Sequence, residues 1–307
     1  MVIGMDLVSF INSRLGPMLG LLLGRLLSRE QAYRLADWIA GLVVARSESW
    51  VVQGVRANQA VVRGCPYDSP ELDQAVRDVI RNAARGYADW YRAVAGGPEV
   101  VNSSIIIDES LVQVVNQSII EDKRGVVIVG AHMSSFNIML LALGLRGYPI
   151  QALSYARVRG SYHVDNALRM KFGLNLTPIS FQSLRQAVLR LRAGGLVMTG
   201  IDRPDVGGEW LTFFGRQAKL PVGHARLALR TGSKILVGMV QAMGDGRYRA
   251  VCGSLIEPEY TGDQHQDVIM LAQRVLSMIE EYIRSRPQEW LIFLPIWPSV
   301  MTTHGEG

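Results

Sequence analysis

His132 is the residue whose type and place most readily support catalysis. It follows the apolar, β-branched run at 126–129, with only Gly130-Ala131 between. Such a run reads as a strand buried on both faces. The imidazole therefore falls at a strand's C-terminal end, the edge at which open α/β sheets hold ligands. Gly130-Ala131 lets the backbone turn tightly and leaves space beside the ring. A histidine side chain titrates near working pH and serves as a general base; the competing reading is a structural histidine. Arg157 and Arg159 stand just past a second strand, 151–155. On parallel strands they share the edge of His132, where guanidinium forks suit phosphate groups; otherwise they are a solvated loop pair. Asp202-Arg203 closes a third apolar strand, 196–201, as part of the site or as a structural ion pair. In Phe213-Phe214-Gly215 the rings suit the core or an apolar ligand, and the glycine permits close approach of a substrate. His163, His224, His265 and His304 show no ligand spacing, and no metal site is expected.

These residues need a scaffold that alternates strand and helix. From Gly125 the pattern gives strands at 126–129, 151–155, 196–201, 211–214 and 235–241. Helices fall between them at 134–145, 162–172, 183–193 (with a capping box read at Ser183–Gln186) and 221–230. Gly244-Asp-Gly246 turns the chain so that 248–254 pairs back, and 267–285 is amphipathic. Upstream, 71–94 is a long helix with Val76, Val79, Ile80, Ala83, Tyr87 and Trp90 on one face. The expected fold is α/β, a mixed central sheet flanked by helices, with an N-terminal interfacial helical segment. The expected division is residues 1–50 as a membrane-docking segment and 51–307 as the α/β domain.

The chain has 307 residues, 49% hydrophobic and only 19% charged, with a net charge of +5 carried almost wholly by arginine. This excludes a disordered chain. Two cysteines, Cys65 and Cys252, outside any C-x-x-C, exclude a disulfide scaffold or a cysteine-rich zinc protein. No basic run interleaved with aromatics appears, so nucleic acid is not an expected partner. The first six residues carry no positive charge, which argues against a secretory signal. The run at 15–24 reaches about 15 Å as a helix, half of a bilayer core of about 30 Å, so it does not span. Leu15, Met18, Leu19, Leu22 and Leu26 follow helical spacing between flanking arginines. That segment suits the headgroup plane, or equally a hairpin packed on the core.

Four blocks in order over about 125–240 resemble the bacterial lysophospholipid and lipid A late acyltransferase family, which includes the phosphatidylinositol mannoside acyltransferases. They are Gly130-Ala-His-Met-Ser-Ser-Phe-Asn137; Ser154-Tyr-Ala-Arg157-Val-Arg159 with Asn166-Ala-Leu-Arg169-Met-Lys-Phe-Gly173; Leu191 to Arg203; and Phe213 to Gly223 followed by Ala228 to Gly232. The resemblance implies transfer of a fatty acyl chain from acyl-CoA or an acyl carrier protein to a hydroxyl of a membrane glycolipid. His132 would be the base, and no cofactor is implied beyond that co-substrate. It implies Ser134, Arg157, Arg159, Asp202, Arg203 and Gly215 as substrate-binding residues, with the enzyme peripheral on the cytoplasmic face of the plasma membrane.

The chain departs from the family at one catalytic position. The family's acid five residues after the histidine orients the ring; here it is Asn137. An amide holds a ring but cannot neutralise imidazolium. Another carboxylate serves (Asp202 is nearest, then Glu209 or Asp205), or the enzyme is slow, or the substitution inactivates it. The last case gives the alternative function, an impaired homologue that binds glycolipid or acyl chains.

Overall fold

The computed structural model describes residues 13–155 and 160–301. Four helices come first: α1 (Leu15–Leu26), α2 (Arg29–Val44), α3 (Trp50–Arg63) and α4 (Glu71–Gly96). After α5 (Pro98–Ser104), β1 (Ile105–Ile107) and α6 (Glu109–Asn116), the chain alternates through β2 (Val126–Gly130), α7 (Phe136–Leu145), β3 (Ile150–Ser154), α8 (Ser161–Lys171), β4 (Asn175–Pro178), α9 (Phe181–Arg192) and β5 (Leu196–Gly200). A hairpin, β6 (Glu209–Phe213) and β7 (Arg216–Leu220), leads to α10 (Gly223–Thr231), β8 (Lys234–Ala242), β9 (Tyr248–Ile256) and α11 (Gln264–Ser285).

Among the described residues the main sheet has seven strands in the order β1-β9-β8-β2-β5-β3-β4. Its pairs are parallel except β8 with β9, so the sheet is mixed and flanked by helices, as the alternation implied. β2 lies centrally, and Val126, Val127 and Val129 are almost wholly inaccessible. Successive strand side chains point to opposite faces. Val127 and Val129 meet the cluster around α9, α10 and α11, while Val126 and Ile128 meet the one beneath α6 and α7.

Several local expectations shift. The helix after β2 begins at Phe136, because Ser134 takes φ 46°, the left-handed region. α9 starts at Phe181, capped by Ser180 with Ser183 as its reciprocal partner, so the box lies three residues before the expected one. β1, β4 and β7 were not foreseen; the first two are short edge strands, too brief to show a period. On α4, Val76, Val79, Ile80, Ala83 and Trp90 are buried, but Tyr87 is exposed.

The N-terminal helices pack in an inverted sense. α1 turns its glycines to α4: a Cβ on Gly20 would lie 2.4 Å from the Tyr91 ring, and one on Gly24 2.8 Å from the Tyr91 backbone. Leu15, Met18, Leu19, Leu22 and Leu26 all face outward. α2 buries Ala32, Ala36, Ala40 and Val43, exposes Trp38 and Leu42, and is tied to α4 by a two-pronged Asp37–Arg85 pair. No helix among the described residues is long and apolar enough to cross a membrane.

Candidate active site

The site begins with four small residues level across four adjacent strands. Gly130 pairs with Gly200, and Gly238 follows Val237, the partner of Val129. Ser154 ends β3 on the other side of β5. With no side chains rising from the glycines, a cavity of about 140 Å³ opens above the sheet and beneath α6 and α7. His132, Phe136, Ser154, Tyr162 and Arg169 line one part, and Leu111, Val115, Met139, Leu143, Ile150 and Met198 another. Its lining follows β5 from Leu196 to Gly200, a depth of about 13 Å at roughly 3.3 Å per residue. Gly200 has a second duty: a Cβ there would stand 3.0 Å from His132 Cε1.

His132 faces this cavity with its side chain about one-third exposed (32%). Its Nδ1 lies 2.7 Å from Asp202 Oδ1. Asp202 Oδ2 accepts two further bonds, from the backbone N–H of His132 and from the Trp290 indole, each at 2.8 Å. Asp202 is wholly buried. Burial pushes its carboxyl up, but the His132 charge and these donated bonds outweigh burial and hold it below the ordinary range. An ionised Asp202 accepts only, so Nδ1 carries the proton and Nε2 is left as the basic edge. Among the described residues Nε2 has no hydrogen-bond partner. The Phe136 ring meets the imidazole edge-on at 5.1 Å.

The strand-to-helix turn that carries His132 is fixed by the chain's C-terminal part. The Leu291 N–H donates to the His132 carbonyl, and the Ser134 N–H donates to the Glu289 carbonyl, both at 2.8 Å. Ser134 Oγ donates to the buried Glu289 carboxylate, which also pairs with Arg286 at 2.9 Å. The left-handed backbone of Ser134 is thus held from both sides, a cost sustained where surrounding contacts over-determine it.

Asn137 is directed elsewhere. Its Oδ1 accepts from Arg169, a buried guanidinium that also donates to Asn166 and lies 5.5 Å from the Trp90 ring and 5.4 Å from the Tyr162 ring. Asn137 therefore meets a buried arginine, and the imidazole is served by Asp202. Of the other expected residues, Ser134 is taken up by Glu289. Arg203 does not pair with Asp202; its guanidinium lies 5.0 Å over the Tyr155 ring. Gly215 stands at φ 72° in the β6–β7 turn, which accounts for the glycine, and it does not line the cavity. Phe213 is core, stacked on Trp297 and edge-on to Trp290. Arg157 and Arg159 lie outside the described residues. Trp290, Glu289 and Gly200 were not foreseen. Only Gly200 carried a local signal, a glycine ending a buried strand.

No curated protein matches the chain. The family model of the bacterial lipid A biosynthesis acyltransferases matches residues 18–299, from within α1 to beyond the end of α11. By that match and the ordered blocks, the chain belongs to the bacterial lipid A biosynthesis acyltransferase family.

Proposed function

We propose that the protein moves a fatty acyl chain from a thioester, on coenzyme A or an acyl carrier protein, to a hydroxyl of a membrane glycolipid. The observation that supports it most is the His132–Asp202 pair at the mouth of an apolar cavity. In this reading Nε2 of His132 takes the proton of the acceptor hydroxyl as its oxygen attacks the thioester carbonyl. The C–O bond forms, the C–S bond breaks, and the thiolate leaves with the proton that the ring returns. Asp202 stabilises the imidazolium between those events. The acyl chain lies along the cavity, where each buried methylene contributes about 0.8 kcal/mol. Acceptors in scope are lipid A precursors and phosphatidylinositol mannosides. The protein docks peripherally on the cytoplasmic face of the plasma membrane through residues 1–50, a reading supported by the outward leucines of α1.

The test is transfer from radiolabelled acyl-CoA or acyl carrier protein to each acceptor in detergent. Labelled product with the native chain and at least about a hundredfold less with His132→Ala is expected. Absence of product from every pairing sinks the reading. The binding-only alternative loses its main motive, since the Asn137 amide bonds to Arg169 while Asp202 holds the imidazole.

A further inference from the structure

The cavity holds a hydroxyl that no contact accounts for. Ser154 ends β3, lines the cavity and is 4% exposed. Its carbonyl accepts from the Ile179 N–H, but its Oγ has no hydrogen-bond partner among the described residues. Burying an unpartnered hydroxyl is unfavourable, and native proteins rarely do so without a reason. An alanine at the end of β3 would fit the same backbone and strand no polar atom. The placement supplies the reason. Ala152 pairs with Met198, so Ser154, two residues further on and on the same face, comes level with Gly200. Neighbouring strands stand about 4.8 Å apart. β2, which leads to His132, runs along the other side of β5, and the point that a Cβ on Gly200 would occupy lies 3.7 Å from His132 Nε2. Gly200 has no side chain, so the space between the basic nitrogen and the hydroxyl is open.

A second buried donor stands in the same part of the cavity. Arg169 is 3% exposed and lines it beside Ser154. Its terminal nitrogens donate to Asn137 and Asn166, and the Trp90 and Tyr162 rings flank the guanidinium. Its Nε has no partner among the described residues. The group is therefore held in place by other contacts while one N–H is left over. Donors that are fixed and unpaired before a ligand arrives suit an oxygen that gains negative charge during reaction, because no reorganisation is needed when the charge appears. Ser154 is not placed as a nucleophile, since its Oγ makes no hydrogen bond to the His132 ring that would activate it.

We infer that Ser154 is a catalytic residue of the proposed transfer, its hydroxyl donating a hydrogen bond to the thioester carbonyl oxygen, with Arg169 beside it. This rests on the acyltransferase reading and adds what the His132–Asp202 pair leaves out, a group that meets the negative charge on the carbonyl. As the acceptor oxygen bonds to the carbonyl carbon, the second electron pair of the C=O bond moves onto its oxygen. The pair returns when the C–S bond breaks and the thiolate leaves. Ser154 keeps its proton throughout and forms no bond to the acyl carbon. The carbonyl lies over Gly200, between the nitrogen that takes the acceptor's proton and the hydroxyl that holds the oxyanion.

The experiment uses the full chain with palmitoyl-CoA or palmitoyl acyl carrier protein as donor, and a lipid A precursor or phosphatidylinositol mannoside in detergent as acceptor. Ser154→Ala is expected to lower kcat by about 10²–10³, the effect of removing one oxyanion donor, with KM for the thioester little changed. Its melting temperature should be equal to the native value or higher, since the lost hydroxyl has no partner in the fold. Ser154→Cys, a weaker donor of similar size, should fall between the two in rate. Infrared difference spectra of isotope-labelled palmitoyl-CoA, bound without acceptor, give a readout free of turnover. The C=O stretch should lie lower in the native complex than in the Ser154→Ala complex, because a donated hydrogen bond weakens the double bond. An unchanged kcat, or equal stretches, overturns the inference. So does a raised KM at unchanged kcat, which would make Ser154 a residue of ground-state binding alone. An acyl adduct mapped to Ser154 by mass spectrometry overturns it too, by making the residue a nucleophile. If the native chain transfers nothing to either acceptor, the acyltransferase proposal fails while the carbonyl stretch still judges Ser154.

Discussion

His132 and His224 are the same side chain in two surroundings. His132 sits at the end of β2 with Nδ1 bound to a buried carboxylate and its ring on a cavity. His224 sits in the first turn of α10, 2% exposed, with neither ring nitrogen partnered among the described residues. Burial alone lowers the His224 pKa to about 4, so it is a neutral, packed ring at physiological pH. A histidine becomes a candidate base through a carboxylate that fixes one nitrogen and an open volume facing the other. Sequence position distinguishes the two weakly, since each stands near the start of a helix.

The sharpest way to break this contrast is at the His132–Asp202 pair. His132→Ala and Asp202→Asn should each lower kcat by about 10²–10⁴, the range of general base catalysis, with KM for the thioester little changed. Steady-state kinetics check this, and an active Asp202→Asn enzyme would remove the carboxylate from the argument. His224 should leave its mark on stability. Its folded pKa lies below its unfolded value near 6.5, so the unfolded chain takes up the proton first. Stability is therefore full above about pH 6.5 and declines as pH falls toward 4, by up to about 3 kcal/mol. Urea denaturation across that window should show the loss, and His224→Leu should flatten it.

Smaller effects sharpen the geometry. Gly200→Ala places a methyl 3.0 Å from the His132 ring, and the displaced imidazole should cost about tenfold in kcat; unchanged turnover would mean that the ring's position is not critical. Asn137→Asp should alter transfer by no more than about threefold, because position 137 meets Arg169 rather than the imidazole. A rise of a hundredfold would restore the motif-based role of that position.

Much of the scaffold was legible in the chain. The buried runs, the glycine stops at Gly147 and Gly232 and the turn at Gly244–Gly246 are local signals, and each stands where expected. His132 was legible from its place after a strand. The short edge strands were not, since three or four residues show no period. Motif spacing named Asn137 first for the partner of the ring and Asp202 only as a substitute; the structure reverses that order. It does so because helix α7 turns position 137 toward α8, while β2 and β5 run side by side in register.

What the sequence determined by itself was the alternation of elements, the helical spacing of the leucines of α1 and a histidine at the end of a strand. Those depend on periods of two and 3.6 residues and on turn chemistry within a few positions. Only the tertiary structure decided which carboxylate serves the ring, that Trp290 and Glu289 brace the turn carrying it, and that three glycines and a serine leave a cavity beside it. His132 and Asp202 are 70 residues apart. Their meeting is set by strand order and register, which no short-range pattern encodes, because pairing distant strands is governed by the burial of the whole sheet.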